Sequence, residues 1–169
     1  MRFEKVSFEQ FAKDYRSLET NYKSEGEWIR SCIYDMIRLP KRATKGSAGY
    51  DIYSPFDFTL AAGETVKIPT GIRVLLDDDK FLAIYPRSGL GFKYKVQLWN
   101  GVAIIDSDFS GSDNEGHIWV KLYNDSPESK ELVIRQGDAF CQGIIQVFFK
   151  VEDDDTTEER NGGFGSTSK

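Results

Sequence analysis

Phe56-Asp57-Phe58-Thr59-Leu60 alternates apolar and polar side chains, so Phe56, Phe58 and Leu60 fall on one face of an extended chain and Asp57 and Thr59 on the other. Successive residues of a strand point to opposite faces, and a period of two is therefore the signature of a half-buried strand. Outward from this stretch, turn signals recur at short intervals: Gly63, Thr70-Gly71, the acidic run Asp77 to Lys80, Asn100-Gly101, Asn124-Asp125 and Gln136-Gly137. They separate short apolar runs such as Phe81 to Tyr85 and Ile118 to Tyr123. Many short strands at this spacing predict an all-β sandwich or barrel.

The chain departs from this pattern at both ends. At the start, Ser7 and Gln10 have the spacing of a capping box, and Val6 and Phe11 that of a hydrophobic staple. Phe8, Phe11, Tyr15, Leu18 and Tyr22 then recur every three or four residues, which predicts a helix whose apolar stripe packs on a core, with Gly26 beyond its end. At the other end, Glu152 to Asp155 and Glu158-Glu159 form an acidic linker before Arg160-Asn161-Gly162-Gly163-Phe164-Gly165-Ser166-Thr167. This tail is expected to be mobile without a ligand. The expected organisation is an N-terminal helical extension over 1–31, a β-barrel over 32–151 and a tail over 152–169.

Composition narrows the function. A length of 169 residues suits one domain, and 40% hydrophobic with 29% charged residues is ordinary for a globular protein. The formal net charge of −5, without a basic stripe, argues against a nucleic-acid partner. An acidic protein that handles a polyphosphate must place a few Arg or Lys residues locally and recruit a cation. Cys32 and Cys141 lie far apart with no CxxC spacing, and no long apolar span is present, so a reducing cytoplasm and no membrane are expected. The single histidine, His117, is expected at the surface or on a strand; no Ser-His-Asp relay is evident, and neither HExxH nor a zinc-deaminase signature with PCxxC occurs. No GxxxxGK[ST] loop occurs.

Three loop segments carry candidate chemistry. Pro86-Arg87-Ser88-Gly89 reads either as a cradle in which a guanidinium, a hydroxyl and backbone N–H groups meet phosphate oxygens, or as an ordinary Pro-Gly turn. Asn100-Gly101-Val102-Ala103-Ile104-Ile105-Asp106-Ser107-Asp108-Phe109 is a turn leading into an apolar strand that ends on two carboxylates. A carboxylate there is either a general base or part of a solvated turn. Phe164 among glycines is either a stacking ring or part of a glycine-rich end.

Taken in order, Ala48 to Ser54 (AGYDIYS), Pro86 to Gly89 (PRSG), Asn100 to Phe109, Gln136 to Gln142 (QGDAFCQ) and Arg160 to Thr167 (RNGGFGST) resemble the five motifs of homotrimeric dUTPases, from about Ile33 onward. The resemblance implies a jelly-roll-like antiparallel β-barrel and three active sites, each assembled from three subunits. It implies hydrolysis of dUTP to dUMP and pyrophosphate, which limits uracil in DNA and supplies dUMP for dTMP synthesis. Asp106 would be the general base for a water attacking the α-phosphorus. Asn100 and the strand backbone through Ile105 would read uracil, and Phe109, in place of the family's tyrosine, would pack under deoxyribose. Arg87, Ser88 and Gly89 would hold the phosphate chain, with Gln142 near the α-phosphate. Arg160 would pair with the γ-phosphate, Phe164 would stack on uracil, and Gly165, Ser166 and Thr167 would close over the nucleotide. Mg²⁺ would sit on the phosphates and waters with no direct protein ligand, Asp51 acting through water.

Four features depart from the family pattern. Ala139 stands where the fourth motif has arginine, Arg160 lies one residue nearer Phe164, Ser112 to Glu115 lengthen the third-motif hairpin, and the first thirty or so residues exceed the usual core. Two other readings share the same residues: a dCTP deaminase of the same fold, and a nucleotide-gated module that contacts a regulatory protein partner through the extra helix or the insert.

Overall fold

The computed structural model describes residues 1–18, 27–158 and 160. The all-β expectation holds. Twelve strands pair only antiparallel among the described residues, in four small sheets that share one core. In the largest, β2 (Lys41–Arg42), β3 (Tyr50–Tyr53), β12 (Ala139–Val147), β7 (Lys80–Pro86) and β9 (Ala103–Ile105) lie side by side in that order. A second joins β5 (Thr65–Pro69), β10 (Trp119–Asn124) and β8 (Val96–Leu98), and β11 (Leu132–Ile134) pairs with β4 (Phe58–Leu60). Phe58 and Leu60 of β4 are buried and Thr59 exposed, while Phe56 is buried just before the strand, so the alternation reads out as side chains in and out of the core.

Ile52, Leu60, Ile68, Ile72, Leu82, Ile84, Leu122, Leu132 and Phe140 are all sealed from solvent. Each such side chain contributes about 1.5–3 kcal/mol relative to an exposed position. Cys141 is fully buried on β12, where burial raises its thiol pKa well above the ordinary value, and Cys32 is exposed; both thiols are free. No helix among the described residues is long and apolar enough to cross a membrane.

The N-terminal segment is not wholly helical. It opens on β1 (Arg2–Lys5), which pairs with β6 (Ile72–Leu75), and then turns into α1 (Phe8–Arg16). The Ser7 hydroxyl accepts from the Gln10 backbone N–H, and the staple residues Val6 and Phe11 are buried. The reciprocal half of the capping box is absent: the Gln10 amide turns to Asp14, and the Ser7 backbone N–H donates to Glu115, 108 residues away. Phe11, Tyr15 and Leu18 face the core as their spacing predicts; Tyr22 and Gly26 lie outside the described residues. A second helix, α2 (Glu27–Asp35), packs against α1 and continues past residue 31.

Candidate active site

The predicted site residues fall into two groups at opposite ends of β7. The first gathers where β3, β12 and the end of β7 meet. Pro86 ends the strand, and Arg87 caps α3 (Ser88–Tyr94) with extended backbone. Its Nε lies 3.2 Å from Oδ1 of Asp51 on β3. Gln142 stands opposite Asp51 in the β12–β3 ladder, and its amide donates to the Pro86 carbonyl at 3.3 Å. Three separated motifs are thus tied by one ion pair and one hydrogen bond. Gly49 belongs to the same arrangement, since a Cβ there would meet Oε1 of Gln142 at 2.4 Å. Ser88 and Gly89 are exposed at the start of α3, and nothing stands within 4 Å of where a Gly89 Cβ would be.

The second group forms where β9 ends. Ala103 and Ile105 are buried against β7, and the chain leaves the sheet at Asp106, which caps a 3₁₀ turn over Ser107–Gly111. Asp106 and Asp108 remain about half exposed, whereas Phe109 is buried. Nη2 of Arg160 donates to Oδ2 of Asp106. Nε of Arg160 lies 2.9 Å from Oδ1 of Asp108, an ion pair without hydrogen-bond alignment. The same guanidinium stands 5.7 Å from the centre of the Phe109 ring. Asp106, Asp108 and Arg160 line a cleft of ≈ 410 Å³ with Asp78, Phe148 and Lys150. On its other side Asp106 borders an apolar groove lined by Phe81, Ile104 and Phe148.

Register separates the groups. Ile105 pairs with Leu82, so Asp106 is level with Phe81, while Arg87 follows Pro86 at the far end of β7. Five strand residues span roughly 17 Å at ~3.3 Å each. One chain therefore does not bring Arg87 and Asp106 onto one small ligand. Asn100 is exposed in the β8–β9 turn, its carbonyl accepting from Val102 N–H. Phe164, Gly165, Ser166 and Thr167 lie outside the described residues.

The structure corrects one expectation and adds a pair of contacts. His117 is neither at the surface nor on a strand: it is fully buried just before β10. Its Nε2 accepts from Gly71 N–H at 2.8 Å and its Nδ1 lies 2.5 Å from Asp14 Oδ2. Accepting at Nε2 makes Nδ1 the protonated nitrogen, so the ring is a neutral donor to Asp14. Burial pushes the Asp14 carboxyl pKa up, but hydrogen bonds from His117 and Gln10 outweigh it and leave the value lowered. Glu115 behaves alike: burial raises it, and the Ser7 hydroxyl and backbone N–H bring it below the usual value. No local sequence signal marks either pair, because their partners lie about a hundred residues apart.

The dUTPase family model matches residues 35–168. The deoxyuridine 5'-triphosphate nucleotidohydrolase of Lactococcus lactis subsp. lactis is 38% identical over 151 residues, covering 88% of this chain and 93% of that relative. The one from Shewanella baltica is 42% identical over 143 residues, covering 81% and 91%. Among solved structures, dUTPase from Streptococcus mutans aligns with a TM-score of 0.65 at 27% identity, over 90% of this chain and 99% of that one. Staphylococcus bacteriophage 80alpha dUTPase, at 22% identity and a TM-score of 0.57, shares the fold. The antiparallel sheets are accordingly the jelly-roll-like barrel of that fold, with the match to the family running across both groups of site residues: this chain belongs to the dUTPase family.

Proposed function

We propose that this chain hydrolyses dUTP to dUMP and pyrophosphate at a site built from more than one copy of itself. The observation that carries the reading is Asp106, a half-exposed carboxylate at the end of a half-buried strand and in the lining of a cleft. Asp106 takes a proton from a water as that water's oxygen attacks the α-phosphorus; the bond to the bridging oxygen breaks, and its electrons leave with pyrophosphate. Arg160 donates a hydrogen bond to Asp106. A triphosphate offers that guanidinium more negative charge, so its arrival draws Arg160 to the γ-phosphate and frees the base.

Arg87, Ser88 and Gly89 hold the phosphate chain, with Gln142 at the α-phosphate. Asn100 and the backbone at Ile105 read the uracil edge, Phe109 lies under deoxyribose, and Phe164, Gly165, Ser166 and Thr167 close over the base. Among the described residues no three His, Cys, Asp or Glu side chains gather as a metal-ligand set. Asp51 would hold Mg²⁺ through water, and the ion, when bound, would neutralise phosphate charge. Asp51 also orients Arg87.

The separation of Arg87 from Asp106 supports a homotrimer with shared sites. So do Trp99, Ile104 and Phe149, which leave 58%, 51% and 90% of their surface exposed in the single chain. A cytoplasmic location belongs to the same reading. The test is pyrophosphate release with Mg²⁺ from dUTP beside dCTP, dTTP and UTP, for wild type and Asp106→Asn. Selective dUTP turnover lost in the variant is expected; ammonia release from dCTP, or no turnover by folded wild type, overturns the reading.

A further inference from the structure

Two features that the family pattern does not account for meet in space: the N-terminal segment and the Ser112 to Glu115 insert. Glu115 sits at φ 59, a left-handed backbone that non-glycine residues seldom adopt. Its carboxylate accepts from Ser7 N–H at 2.7 Å and from the Ser7 hydroxyl at 2.6 Å, using both oxygens. The insert therefore carries its charge to the N-terminus of α1, where it completes the cap that Gln10 leaves open.

The next residues bear directly on the turn that carries Asp106. Gly116, at φ 71, runs so close beneath that turn that a Cβ would stand 2.6 Å from Ser110 Cα and 2.9 Å from the Phe109 carbonyl oxygen. Glu115 N–H and Ser112 N–H fold the insert back on itself, donating to Ser112 and Phe109 carbonyls at 2.8 and 3.1 Å. His117 then fixes the far end of the same loop to Asp14 of α1. The 3₁₀ turn is thus pressed from below by a short loop that is anchored on the N-terminal segment at Glu115 and at His117.

We propose that Glu115 is a positioning residue: anchored on Ser7, it holds the Asp106–Phe109 turn in place, and the N-terminal segment thereby sets discrimination between deoxyribose and ribose. The sugar contact of Phe109 rests on the function proposed above; the anchoring does not. Loss of the anchor lets the turn drift, and a misplacement near 1 Å is enough to change reactivity by up to about a hundredfold.

The experiment compares full-length wild type, Glu115→Ala, Glu115→Gln and the milder Ser7→Ala. It reads amide hydrogen exchange over 107–111 and the dUTP:UTP ratio of kcat/KM. Glu115→Ala is expected to exchange these amides at least about tenfold faster, with β12 unchanged. Its dUTP:UTP ratio is expected to fall at least about fivefold, with Glu115→Gln recovering most of both effects. Ser7→Ala is expected to lie between and serves if Glu115→Ala does not fold. Unchanged exchange, or an unchanged ratio in a variant whose turn has loosened, overturns the proposal. If wild type turns over no dUTP, the reading of Phe109 falls separately, and exchange alone decides whether Glu115 holds the turn.

Discussion

Arg160 reaches back across 54 residues of sequence to donate a hydrogen bond to the carboxylate of Asp106. The contact joins the acidic cleft to the start of the tail, so the group proposed to activate water is capped by the group proposed to bind the γ-phosphate. Replacing Asp106 with Asn is expected to lower kcat about 10²- to 10⁴-fold, the usual worth of a positioned base, with nucleotide affinity by calorimetry nearly unchanged. Arg160→Ala is expected to raise the KM for dUTP about tenfold or more, since it removes a charge-assisted contact. An unaltered KM would place the γ-phosphate elsewhere.

Gly49→Ala separates activity from stability. The added methyl would meet the far end of a flexible side chain, Oε1 of Gln142 at 2.4 Å, so the amide can swing away. Thermal unfolding should move by no more than about 2 °C, consistent with a change within ±0.5 kcal/mol. The displaced amide should cost dUTP turnover several-fold. Equal turnover in the two proteins would remove Gln142 from the site.

His117 and Asp14 are expected to be coupled in stability. His117→Ala removes the acceptor of the buried Gly71 N–H and one of the donors to the Asp14 carboxylate, at about 2–4 kcal/mol. A double-mutant cycle with Asp14→Ala in urea should return a coupling of about 1–3 kcal/mol. Additive losses would mean that the 2.5 Å contact carries no net energy.

The same anchors predict an acid-sensitive fold. Asp14 and Glu115 both have carboxyl pKa values lowered from their usual 3.8 and 4.5. A carboxylate with a lowered folded value stabilises fully above its unfolded value and loses that contribution as pH falls through the folded one. The urea midpoint should be level above about pH 5 and decline toward about pH 3, and Asp14→Asn should flatten part of the decline. A midpoint that rises on acidification would contradict this.

How much of this was legible depended on the range of each interaction. Phe56 to Leu60 announced its strand because the period of two is local, and Ser7 announced α1 because a cap is local. The strand β1 was missed, since Arg2 to Lys5 has no pattern until β6 supplies its partner. His117 was misread for a similar reason: it is buried only because Gly71 and Asp14 satisfy its two nitrogens. The proposed site residues Arg87, Gln142 and Asp106 were legible as motifs, but their division between the two ends of β7 appears only in the strand register.

That division makes one experiment decisive. Arg87→Ala and Asp106→Asn, each expected to be inactive alone, would be unfolded together, refolded as a mixture and assayed for pyrophosphate release from dUTP. A site assembled from different copies predicts that activity returns, because some mixed assemblies contain a site with both native side chains. Activity that stays at the level of the separate variants, in a mixture shown by mass to contain hybrid assemblies, would contradict a shared site.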